Sequence, residues 1–210
     1  MNHIINKKII FTIGHSDHTV EKFINLLKKH LVTVLADVRT VPFSRIHPQF
    51  NKDYLSIILE KENIKYVFLG KELGARPDNL SCYKNGQVDF ELIAETNEFK
   101  AGLERLIKGC DNYRIAIMCA EKEPLDCHRT ILVCHHLAKH SSMNIMHILA
   151  DGQLENHCET ESRLIKITDS ERTLFDREIS DSERMEKAYK KREREIAHKK
   201  ESKDKNYDEF

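Results

Sequence analysis

The chain has 210 residues, 40% hydrophobic and 32% charged, with 34 basic and 34 acidic side chains. That length supports one full hydrophobic core, and the balanced charge excludes a general electrostatic pull toward nucleic acid or a membrane surface. No stretch is apolar enough to span a bilayer, the N-terminus lacks a secretory-signal pattern, and the six scattered cysteines read as reduced thiols; a cytoplasmic protein is expected.

KKIIFTIG predicts a first strand ending at Gly14. HTVEKFINLLKKH predicts a helix capped by Thr19, with Val20, Phe23, Ile24 and Leu27 at helical spacing. VTVLADVRT is a second strand, and Pro42 and Pro48 make VPFSRIHPQF a loop. NKDYLSIILEKEN is a helix capped by Asn51, and IKYVFLG a third strand. KELGARPDNLSCYKNGQ reads as a long loop, a feature often tied to function. Thr96 to Gly109 predicts a third helix, YRIAIMCA a fourth strand, Asp126 to His140 a fourth helix with Asp126 as N-cap, and NIMHILA a fifth strand.

Strands alternating with helices, several of them apolar on both faces, predict an α/β three-layer sandwich with a mostly parallel sheet of about five strands, Rossmann-like in its layering. The domain is expected over residues 1–165. Residues 166–210 are poor in apolar side chains and dense in mixed charge, which predicts a helical or disordered tail.

Ligands of open α/β sheets bind beyond the carboxyl ends of the strands. There this chain places Gly14, His15 and Ser16; then Asp37 and Arg39, with Arg45, Gln49 and Asn51 in the following loop; then Cys119, Glu121, Cys127, His128 and Arg129. Turn-forming preference does not explain arginines, cysteines and histidines at these positions. Cys127 in the first turn of a helix, beside His128 and Arg129, is expected to have a depressed pKa and to act as a nucleophile or metal ligand; Cys119 closes the preceding strand. Arg39 and Arg129 are candidate anion clamps, and Asp37 and Glu121 candidates for proton transfer. Cys119, Cys127, His128, His15, His47 and His157 supply enough donors for zinc, but none has the close spacing of a structural zinc site, and His135 and His136 lie too far along their helix to join them. These donors leave a metal open without indicating one, and any other cofactor is unknown from the sequence.

Taken together, TIGHS, ADVR with its SR–HPQFNK loop, YVFLGKELGAR, CAEKEPLDCHR and HIL-DG-LENH resemble the successive motifs of the domain of unknown function 488 family, over roughly Phe11 to His157. The resemblance implies an α/β domain. It marks Gly14, His15, Ser16, Asp37, Arg39, Gln49, Asn51, Cys119, Glu121, Cys127, His128 and Arg129 as the site, and implies no substrate. Gly74-Ala75 stands where family members often carry paired glycines. A strand ending in DVR and a later one ending in a cysteine before an arginine-bearing loop is also similar to the layout of rhodanese-type sulfurtransferases and cysteine phosphatases, whose loop is shorter and glycine-rich.

Three classes of function follow. The first is a cysteine-dependent transferase or hydrolase acting on a small anionic or nucleotide-like substrate. The second is a nucleic-acid or nucleotide binding module, with Arg39, Arg45, Lys71 and Arg76 as a basic rim, which the neutral net charge does not favour. The third is a metal-binding or structural interaction protein. Oligomeric state is not legible.

Overall fold

β1 (Ile9–Gly14) is buried along all but its first residue, and its alternation sorts the core. Ile10 joins one hydrophobic cluster, while Phe11 and Ile13 join another on the opposite face. The computed structural model describes residues 8–168, 170 and 179–200. Along the chain β1 is followed by α1 (Val20–Lys29), β2 (Val34–Asp37), α2 (Lys52–Lys61), β3 (Lys65–Phe68), α3 (Gly70–Leu73), the hairpin β4 (Tyr83–Lys84) and β5 (Gln87–Val88), α4 (Phe90–Ala94) and α5 (Asn97–Gly109). β6 (Ile115–Cys119) comes next, then the π-helical turns Arg129–Cys134 running into α6 (His135–His140), β7 (Asn144–Ile148), β8 (Leu154–Asn156), α7 (His157–Ile167) and α8 (Asp181–Ile196).

The central sheet has six strands in the order β3-β2-β6-β1-β7-β8. The first five are parallel, and β8 pairs antiparallel with β7. Helices cover both faces, as expected for strands apolar on both sides. Phe23, Leu27, Leu55 and Leu59 of α1 and α2 pack on one face; Leu103 and Leu106 of α5, Leu137 of α6 and Leu164 of α7 pack on the other. No helix among the described residues is long and apolar enough to cross a membrane.

The five strands read from the sequence are β1, β2, β3, β6 and β7. β8 is the addition, too short at three residues to announce itself. The long loop holds the β4–β5 hairpin, whose signal was the pair Asn85-Gly86: both have positive φ, 51° and 75°, as a two-residue hairpin turn requires. Thr19 caps α1, its hydroxyl accepting from Lys22 N–H at 3.2 Å. Asn51 also sits at its predicted cap position, but its side chain accepts from Ser44 N–H instead, at 2.6 Å.

Within the segment expected as a charged tail, α8 packs on the same side as α5 and α7. Ala188 and Tyr189 are buried in that cluster, and Glu193 accepts from Phe90 N–H at 2.9 Å, the first residue of α4. Residues 169, 171–178 and 201–210 of that segment lie outside the described residues.

This topology positions the site. β1 and β6 are neighbours, but the chain leaving β1 enters α1 on one face and the chain leaving β6 enters the π-helical turns on the other. Diverging connections open a crevice at the carboxyl ends of the two strands.

Candidate functional site

Gly14 and Cys119 are partners in the β1–β6 register. Beyond them the two chains stay paired, with His15 N–H donating to Cys119 C=O and Ser16 N–H to Ala120 C=O, each at 2.9 Å. The approach is so close that a Cβ on Gly14 would lie 1.9 Å from the Glu121 carbonyl oxygen. Gly14 therefore serves the site by lacking a side chain.

The crevice is a cleft of about 670 Å³ lined by His15, Ser16, Arg39, His47, Arg76, Cys119, Glu121, Lys122 and His128, among others. Cations outnumber acids along its wall: Arg39, Arg76 and Lys122 against Asp17 and Glu121. Among the residues predicted from the sequence, Arg45 is exposed and does not line the cleft, and neither does Gln49, whose amide lies 3.4 Å from the His18 carbonyl. Asn51 shapes the loop before α2 through its bond to Ser44.

One wall is an ion-pair cluster. Asp37 is fully buried at the end of β2. Its carboxylate accepts from Arg39 Nε at 2.9 Å, from Arg39 Nη2 at 2.6 Å and from the Tyr66 hydroxyl at 2.7 Å. Arg39 Nη2 also donates to Phe50 C=O, and Nη1 donates to His15 Nε2 at 3.2 Å. His15 in turn donates from Nδ1 to Ser16 C=O and stacks on Phe50 with ring centroids 4.4 Å apart. Burial, with the Arg39 charge adding to it, lowers the His15 pKa to about 4, so its imidazole is neutral at physiological pH. Asp37 and Arg39 thus satisfy one another, and Arg39 presents only its edge to the cleft.

The opposite wall is the Cys119–Arg129 stretch, and here the local structure departs from the sequence expectation. Asp126 does not cap the fourth helix; it ends the 3-10 turn Pro124–Asp126 and pairs with Arg192 of α8. Cys127 takes the capping place. It is extended (φ −133°, ψ 139°), its carbonyl accepts from Thr130 N–H and Ile131 N–H, and its sulfur accepts from Arg129 N–H at 3.4 Å. The sulfur therefore meets one first-turn N–H of the helix, that of Arg129.

Cys119 Sγ, Cys127 Sγ and His128 Nδ1 lie within 4.8 Å of one another. His128 Nε2–H donates to Val38 C=O at 3.0 Å, which turns Nδ1 toward the sulfurs, 3.5 Å from Cys119 and 4.0 Å from Cys127. Cys119 and His128 line the cleft; Cys127 lies behind them, 1% exposed. Cys127 Sγ is also 2.9 Å from a Glu121 carboxylate oxygen. Arg129 is wholly buried and does not reach the cleft. Its guanidinium donates to Glu121 C=O at 2.6 Å and to Lys122 C=O at 3.3 Å, while its Nε has no hydrogen-bond partner among the described residues.

The electrostatics follow. Among the described residues no carboxylate forms an ion pair with Arg129, so this buried cation needs another counter-charge. Burial opposes a thiolate at both cysteines. At Cys127 a hydrogen bond from the Cys119 thiol, the Arg129 charge and His128 outweigh it and hold the pKa well below the usual thiol value. At Cys119 burial and the neighbouring Cys127 thiolate push the pKa well up. Glu121 is raised by burial and Cys127, and His128 is raised against its burial by the hydrogen bond and charge of Cys127. The two thiols are thus pushed in opposite directions: Cys127 toward the thiolate, and Cys119, which faces the cleft, toward the thiol.

The family model of the domain of unknown function DUF488 matches residues 19–135. The chain belongs to this family. No curated protein and no solved structure matches it. The DUF488 match takes in Asp37, Arg39 and the whole Cys119–Arg129 stretch, and ends before β7, α7 and α8.

Metal-ligand spacing in sequence did not connect Cys119 with Cys127, since seven residues separate them. The 3-10 turn folds the intervening chain back so that both sulfurs reach one point. Tyr66, on Asp37, went unread because a tyrosine in a strand looks like core.

Proposed function

We propose that this DUF488 protein is a cysteine-dependent transferase or hydrolase acting on a small anionic or nucleotide-like substrate. The observation that carries the reading is the convergence of two sulfurs and His128 Nδ1 within 4.8 Å, beside a buried arginine that has no carboxylate ion-pair partner among the described residues, at the base of a cleft. Arg76 and Lys122 on the wall suit an anion.

In this reading Cys119 is the nucleophile, because it is the sulfur on the cleft. Its proton passes to Cys127 or to His128 Nδ1, and the Cys119 thiolate attacks the electrophilic centre of the substrate. An S–substrate bond forms and the leaving group departs with the electron pair of the broken bond, taking up the proton that Cys119 gave away. Water or a second acceptor then releases the product and restores the thiol. Val38 C=O plays the orienting part of a triad by fixing the His128 ring. A reducing compartment such as the cytoplasm keeps both thiols available.

A zinc site at the same three donors is less well supported, because Arg129 would be a fixed positive charge beside the metal.

The pH dependence of iodoacetamide alkylation at each cysteine, read by mass spectrometry on the native protein, tests the enzyme reading. The expected result is modification of Cys119 or Cys127 with a midpoint clearly below the free-thiol value of about 8.5. If both cysteines titrate as free thiols, or neither reacts while exposed Cys158 does, the nucleophile reading fails.

A further inference from the structure

A second convergence of ligating side chains lies away from the cleft, where α4, α6 and α8 meet. Glu91 of α4, His135 of α6 and Glu186 of α8 place one ligand atom each within 4.8 Å of one another. His136 Nε2 lies beside this group, 4.0 Å from Glu91 Oε1, without joining the three mutually close atoms. The groups border a cavity of about 240 Å³ between the three helices. Both imidazoles are buried and held by aromatic contacts: His135 lies against Tyr189 with ring centroids 3.7 Å apart, and His136 meets Phe99 edge-on at 5.5 Å. His135 Nε2 already points at Glu186 Oε2, 3.3 Å away. Adjacent histidines on one helix rarely both turn inward; here a neighbour fixes each ring so that its Nε2 faces a carboxylate.

We propose that Glu91, His135 and Glu186, with His136 next to them, form a zinc site that clamps α8 onto the domain. Imidazole nitrogen and carboxylate oxygen are ordinary zinc donors, and one imidazole with two carboxylates makes a neutral three-ligand set whose fourth position is open to water or to His136. The role is structural, because the ion ties together three segments that are distant in sequence, and α8 is a charge-rich helix with few apolar anchors, chiefly Ala188 and Tyr189. Lys139 is the resident competitor: its ammonium lies 2.9 Å from the Glu186 carboxylate and must yield or share that group.

The test is thermal unfolding of the full chain, stripped with a chelator, with and without zinc chloride, together with cobalt(II) absorption. At zinc about 100-fold above its Kd, Tm should rise by roughly 5–10 °C. The rise should vanish in Glu91→Gln, an exposed position whose replacement leaves the fold intact, and in Glu186→Gln; it should grow in Lys139→Ala and persist in Cys119→Ser. Cobalt(II) should give the visible bands of a nitrogen- and oxygen-ligated ion, without the intense near-ultraviolet absorption of a thiolate–metal bond. A rise that survives Glu91→Gln and Glu186→Gln, no rise at all, or a rise lost in Cys119→Ser together with thiolate–cobalt absorption would overturn the proposal. The last outcome would move the metal to the cleft.

Discussion

Two arginines are buried at the same end of the sheet, and they are treated in opposite ways. Arg39 is matched by a carboxylate: Asp37 accepts two of its N–H groups, and the Tyr66 hydroxyl adds a further hydrogen bond to that carboxylate. Among the described residues Arg129 meets only carbonyl oxygens and leaves its Nε without a hydrogen-bond partner. A closed pair neutralises itself and has little left for chemistry. An open cation imposes its charge on its neighbours, and the neighbour able to answer is a thiol. Each arginine also has a histidine. His15, beside Arg39, is held neutral, whereas His128, beside Cys127, is raised.

Breaking the closed pair should have the largest effect. Asp37→Ala leaves Arg39 buried and unpaired, at an expected cost of about 3–5 kcal/mol in urea unfolding. A cost under about 1 kcal/mol would mean that water reaches Arg39 and that the two arginines are not so different. Breaking the open one should cost less, because Arg129→Met removes the unmatched charge along with its bonds. About 1–3 kcal/mol is expected, for the two orphaned carbonyls. Its signature is chemical: the alkylation midpoint of the Cys119–Cys127 pair should move up. A midpoint that stays in place would remove Arg129 from the thiolate's support.

The histidines sharpen the contrast most finely. By nuclear magnetic resonance, His15 should titrate near 4 and His128 above 6.5. The unfolded chain binds a proton at His15 before the folded one does, so His15 costs stability as pH falls from 6.5 toward 4, by up to about 1.4 kcal/mol per pH unit. His128 has the opposite sign: its contribution is complete below 6.5 and is lost as pH rises through its raised folded value. Equal midpoints for the two rings would erase the distinction.

Much of this was legible along the chain. Apolar runs on a strand period, broken by helical repeats, mark β1, β2, β3, β6 and β7 and the helices between them. The dense stretch from Cys119 to Arg129 announces itself by residue type. The partners were not legible. Arg129 reads as an anion clamp, yet its guanidinium goes to the Glu121 and Lys122 carbonyls, because the loop it supports folds back over it. Asp126 reads as a helix cap, yet Arg192, 66 residues later, takes its side chain, and Cys127 fills the cap. His135 and His136 read as too far along their helix to join the donors at the cleft; their carboxylate neighbours are instead on α4 and α8.

By itself, then, the sequence determined the layering, the strands and the end of the sheet where polar chemistry gathers, since burial periodicity and strand-end position are properties of the local chain. Tertiary structure alone decided which buried charge is answered by a carboxylate and which by a sulfur, and which thiol meets the cleft. Those outcomes depend on distances between residues far apart in sequence, and a charge buried at low dielectric responds to whatever lies within a few ångströms of it.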